Sequence, residues 1–154
     1  MIRTLLCLTV LSTSTLAAQQ SPFVGTWSVS YPAGAMLENG IMTPIMATGV
    51  LSIVRSADSL VGELVMDPNP ELGPRPMVRM AAAAGAGEVT FVSYSEATLT
   101  MNGSESKTTV ISSWKLAVQG DTLSGTVERR LEGFEEANQP PHEVTGVRQQ
   151  GPTR

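Results

Sequence analysis

From residue 23 onward, hydrophobic and polar positions alternate with a period of two in one short segment after another. FVGTWSVSY, residues 23–31, sets Phe23, Gly25, Trp27, Val29 and Tyr31 on one face and small or polar residues on most of the other. The same rhythm recurs in ATGVLSIVR (47–55), LVGELVM (60–66), MVRMAAAA (77–84), EVTFVSYS (88–95), TLTMN (98–102), SKTTVISSWKLAV (106–118), DTLSGTVERRL (121–131) and EVTGVRQQ (143–150). Period two is the signature of half-buried strands, and no segment carries the 3.6-residue stripe of an amphipathic helix. Clusters of Gly, Pro, Asn, Asp and Ser separate the segments and predict hairpin turns. Eight or nine short, closely spaced strands predict an all-β fold, either a sandwich or an antiparallel barrel.

Two stretches break the rhythm. PAGAMLENGIMTPI, from residue 32, carries Gly and Pro at a density that predicts a long loop over 32–46. DPNPELGPRP, residues 67–76, has four prolines and predicts a connection that cannot enter a sheet interior. LSIVRSADSLVGEL and LAVQGDTLSGTV share an order of Leu, β-branched residue, turn, Asp, hydroxyl residue, Leu and Gly. The shared order predicts two similar hairpins whose later glycines, Gly62 and Gly125, serve a close approach or a bulge.

Residues 1–18, MIRTLLCLTVLSTSTLAA, stand apart: a basic Arg3, an apolar run from Leu5 to Leu11, then small residues up to Ala18. That pattern predicts a secretory signal peptide, removed to leave one all-β domain over 19–154, secreted or periplasmic. The apolar run is too short for a membrane-spanning helix, which needs about 20 residues. Removal takes away Cys7, the one cysteine, so stability rests on burial without a disulfide.

The chain has 10 basic and 14 acidic residues, a net charge of −4, and −5 once Arg3 is removed (9 against 14). An acidic chain without a basic cluster argues against nucleic acid as a partner. Arg129 and Arg130 are the only adjacent basic pair, and Glu128 and Glu132 beside them predict a solvated strand edge. Missing aromatic girdles and short strands argue against integral membrane association.

Gly25-Thr26-Trp27 on the first strand, preceded by Phe23 and Val24, together with Arg148 on the last, resembles the calycin group of up-and-down barrels, which includes the lipocalins. The resemblance implies an antiparallel up-and-down β-barrel of about eight strands, a single β-barrel domain, in which Gly25, Trp27 and Arg148 close one end with the guanidinium lying across the indole. Segment 23–31 is then expected to pair with 143–149. FVGTW also matches the start of intracellular lipid-binding proteins, but the two-helix lid of that branch is absent. Its Arg-x-Tyr carboxylate motif reads Arg148-Gln149-Gln150 here.

Candidate chemistry is sparse. His142, the one histidine, stands between Pro141 and Glu143 and reads as a solvated loop residue. No serine sits in a Gly-x-Ser-x-Gly elbow, and the acids from Glu132 to Glu136 lack calcium-loop spacing. Asn102-Gly103-Ser104 is a glycosylation sequon or simply a polar turn. No catalytic residue, metal or cofactor is called for, and the chain is not expected to be an enzyme. Met36, Met42 and Met46 could hold Cu(I) on the long loop, but packing or a flexible lid explains them better.

The expected function is therefore an exported lipocalin-like barrel that binds a small apolar ligand. Alternation puts Val29, Tyr31, Leu51, Ile53, Leu64, Met66, Val89, Phe91, Val110, Trp114 and Leu116 on the inner face as its lining. If the same side chains fill the barrel instead, the alternative is a non-enzymatic interaction or inhibitor module that uses loops 32–46 and 67–76.

Overall fold

A computed structural model describes residues 21–38, 41–70, 72–85, 87–101, 104–134 and 139–150. The leader, its expected cleavage point, Asn102-Gly103 and the acids Glu135 and Glu136 lie outside these residues. Eight antiparallel strands form one closed barrel in chain order: β1 (Gly25–Glu38), β2 (Ile41–Ser56), β3 (Ser59–Met66), β4 (Val78–Ala83), β5 (Val89–Met101), β6 (Ser104–Gln119), β7 (Thr122–Leu131) and β8 (Gln139–Arg148). Closure pairs β1 with β8 over Trp27–Ser30, where an open sheet would leave two free edges.

Closure runs through β1 and β8, where Trp27, Ser28, Val29 and Ser30 pair with Arg148, Val147, Gly146 and Thr145. The indole of Trp27 is fully buried and donates to the Phe23 carbonyl at 2.9 Å. Arg148 Cζ lies 4.1 Å from the Trp27 ring centroid. Its Nη1 and Nη2 donate to the carbonyls of Val24 and Pro22 at 2.8 and 2.7 Å, and its Nε meets Asp121 at 3.2 Å. Gly25 has φ +142°, and a Cβ there would strike the Arg148 guanidinium, so glycine is required twice over.

Inward residues fill the barrel above this clasp. Phe23, Leu51, Ile53, Leu60, Phe91, Leu116, Leu123, Val127 and Val144 are all buried, with Phe23 edge-on to Phe91 at 6.2 Å. The two echoed glycines both serve close approach, and pairing runs through each of them, Ile53↔Gly62 and Leu116↔Gly125, without a shift. A Cβ at Gly62 would meet Met80, and one at Gly125 would collide with the Lys115 backbone carbonyl. The two turns share a left-handed residue, Ala57 at φ 52° in one and Gly120 at φ 61° in the other. The Asp121 carboxylate reaches across to Arg148, tying the β6–β7 turn to the clasp.

Three expectations need correction. The loop over 32–46 is instead a paired extension of β1 and β2, in register from Gly34↔Ile45 to Glu38↔Ile41. Only Asn39 and Gly40 separate the paired ends, and Asn-Gly is the dipeptide most suited to a two-residue hairpin. The register shift between Pro32 and Gly34 leaves Ala33 unpaired, so the Gly and Pro residues are absorbed at a bulge. EVTFVSYS and TLTMN form one strand, β5, paired with β6 from Val89↔Leu116 to Met101↔Ser104. Finally, β8 starts at Gln139, so His142 is a half-buried strand residue opposite Val127. Pro140 and Pro141 are tolerated there because β1 pairs only with 145–148 and the β7 ladder shifts between Val127 and Arg129.

The loosest seam is β4–β5, paired only at Ala81↔Val92. β4 offers Ala81, Ala82 and Ala83 there, small side chains with little cross-strand contact to give.

Trp27→Ala is expected to destabilise the protein by about 3–5 kcal/mol, as a fully buried large-to-small change. Gly125→Ala is expected to cost about 1–3 kcal/mol through overpacking against the β6 backbone. Urea denaturation of each variant measures both losses, and a Trp27→Ala loss below about 1 kcal/mol would mean that the clasp does not hold the closed end.

Candidate functional site

The interior divides into two halves. Of the eleven expected lining residues, Val29, Leu51, Ile53, Val89, Phe91 and Leu116 lie in the filled half beside the clasp. Tyr31, Leu64, Met66, Val110 and Trp114 lie higher and line a cavity of about 430 Å³ that opens at the other end. That volume falls within the range of about 300–1,000 Å³ usual for small-molecule sites.

Strands β3, β5, β6 and β7 supply most of the cavity wall from their inward sets. Leu64 and Met66 continue the inward set of β3, Ser93 and Ser95 that of β5, Val110, Ser112 and Trp114 that of β6, and Arg129 and Leu131 that of β7. From the Pro-rich connection over 67–77, Arg75 and Pro76 also reach the cavity. This connection is anchored on the β1–β2 hairpin: Asn69 Nδ2 donates to the Met46 carbonyl at 3.4 Å, and Leu72 packs over Gly34. Met46 is exposed, and Met36, Met42 and Met46 stand on paired strands, so the expected flexible methionine lid is replaced by a hairpin wall.

Sequence reasoning missed the polar members. Arg129 is no solvated edge residue: it is half-buried inside the barrel, while Arg130 points outward and pairs with Glu128 at 2.9 Å. The signal was present, because Leu123, Val127 and Arg129 share one parity, but the ERR run reads as a charged outer face. Arg129 Nη2 donates to the Pro32 carbonyl at 2.5 Å, the residue at which the β1 bulge begins. Burial lowers the Arg129 pKa from its ordinary value, and Tyr31 opposes that shift. The group remains a cation at physiological pH.

Tyr31 is buried and tilted against Trp114, with ring centroids 5.4 Å apart. Burial raises its phenol pKa, Arg129 opposes the rise, Asp67 adds to it and Arg75 opposes it. Trp114 Nε1 is buried without a hydrogen-bond partner among the described residues. A buried donor left unpaired carries a desolvation cost of about 1–3 kcal/mol. The mouth half thus combines an aliphatic and aromatic wall with a few convergent donors: a guanidinium, a phenol, an indole N–H and the Ser93 and Ser112 hydroxyls. Among the described residues, no three His, Cys, Asp or Glu side chains group to hold a metal, and no helix is long and apolar enough to cross a membrane.

Because the raised pKa favours the neutral phenol in the fold, Tyr31 contributes stability that is present below about pH 10 and lost as the pH climbs through its folded value. A tyrosinate absorbance titration of the folded protein is expected to show a phase above about pH 10 that Tyr31→Phe removes. No family model, curated protein or solved structure matches the chain.

Proposed function

We propose that this chain is an exported, lipocalin-like barrel, secreted or periplasmic, that carries a small apolar ligand in the mouth half of its interior. The observation that carries this reading is the divided interior: side chains fill the end beside Trp27, and a cavity of about 430 Å³ stays open at the other. A barrel serving only as a rigid frame gains nothing from an unfilled space beside Leu64, Met66, Val110 and Trp114, since unfilled apolar volume forgoes packing contacts. The leader over 1–18 supports export, and Gly25, Trp27 and Arg148 support the calycin-like reading.

The polarity of the wall supports a water-soluble carrier. Inward positions are mostly apolar, while outward ones include Ser28, Thr48, Glu63, Arg79, Thr90, Lys115 and Thr145. A membrane-embedded barrel carries the opposite arrangement, with an apolar band outside. The donors at the mouth serve binding and orientation, a role that requires no bond-making group.

Titration with the uncharged dye Nile red tests the reading. Saturable binding with enhanced dye emission is expected, together with quenching or enhancement of Trp114 fluorescence. Trp114→Ala is expected to weaken binding by about fivefold or more, because it removes the largest apolar surface of the chamber. Absence of saturable binding by the folded wild-type protein would leave the interaction module, presenting the 67–77 connection, as the better reading.

A further inference from the structure

Resting on the apolar-ligand reading, we infer that the ligand carries an anionic carboxylate head, which Arg129 binds beside Tyr31 inside the mouth. The two ends of the chamber differ chemically. Leu64, Met66 and Val110 give it apolar walls, and Arg129 brings a permanent positive charge to the same space. Arg129 makes no ion pair with a carboxylate among the described residues, and neither does Arg75, the second cation at the rim. A buried charge is costly unless paired. Among the described residues the guanidinium's one hydrogen bond goes to a backbone carbonyl, that of Pro32, and no carboxylate there serves as its counterion.

The other groups around the chamber favour the same occupant. Tyr31 and Trp114 Nε1 can donate to a carboxylate, and the latter has no acceptor among the described residues. Asp67 acts on the Tyr31 phenol through space, but Thr48 Oγ1 holds its carboxylate at 2.7 Å on the outer rim. Glu96, the one acid lining the chamber, sits exposed at the mouth edge. Arginine presents a planar fork of donors that matches a carboxylate in two-point geometry, which a neutral hydroxyl cannot exploit. The ligand class is therefore a monoanionic amphiphile whose head lies beside β7 and β1 and whose body lies along β3 and β6.

The test displaces Nile red from the wild-type protein with decanoate and, separately, with decanol, which has the same chain and no charge. Decanoate is expected to bind about tenfold or more tightly than decanol. Arg129→Met is expected to remove that preference by weakening decanoate alone, Arg129→Lys to restore part of it, and Arg75→Gln to change it by less than about threefold. Equal affinities for the two probes in the wild-type protein would overturn the carboxylate head while leaving the apolar carrier standing. A folded wild-type protein that binds no Nile red would overturn both. The wild-type comparison decides the matter even if Arg129→Met fails to fold, and a preference that persists in a folded Arg129→Met variant would also overturn the assignment.

Discussion

The barrel depends on the meeting of its first and last strands around Trp27. Only four residue pairs join β1 to β8, a short ladder for the contact that closes the whole sheet. Arg148 reinforces it from the side: stacking on the indole contributes about 0.5–2 kcal/mol, and the same guanidinium holds two carbonyls of the chain entering β1. Asp121 adds the β6–β7 turn to the set. One cation thus ties together the N-terminal entry, the last strand and a distant hairpin, and glycine at position 25 is what lets it approach.

Closing one end so tightly has a consequence at the other. Strands of unequal length leave the clasp together, and the longer ones, β1, β2, β5 and β6, run on past the core. β3 and β4 stop early, and the Pro-rich 67–77 connection covers the gap by packing Leu72 on Gly34. The chamber forms in this uneven region, where inward side chains no longer meet opposing partners at full density.

Arg129 enters the chamber where the sheet is irregular, whereas Ser93 and Ser112 enter from the regular β5–β6 ladder. The bulge at Pro32 to Gly34 offers a carbonyl to Arg129, and the β7–β8 register shift falls between Val127 and Arg129. Both irregularities lie at the boundary between filled core and open mouth. Bulges commonly redirect a side chain near a functional site, and here the two irregularities adjoin Arg129.

Closure of a barrel with Trp27 beside the strand of Arg148 was expected from the resemblance of the two chain ends to calycin barrels, whereas alternation, turn chemistry and proline content were enough to establish antiparallel strands and the inward faces carrying Leu51, Ile53, Phe91 and Leu116. These are local properties: period two fixes which face a side chain joins, whatever the rest of the chain does. Tertiary structure alone decided how deep along the barrel each inward residue sits, and so which of the eleven lie in the core and which line the chamber. It also paired the 32–46 stretch across β1 and β2, where one bulge between Pro32 and Gly34 absorbs residues that by composition read as a loop. Arg129 shows the limit most clearly. Its parity was legible beside Leu123 and Val127, but charge argued for the outer face. Only closure of the sheet shows that this position reaches the open mouth, where a guanidinium can face inward without crossing an apolar core.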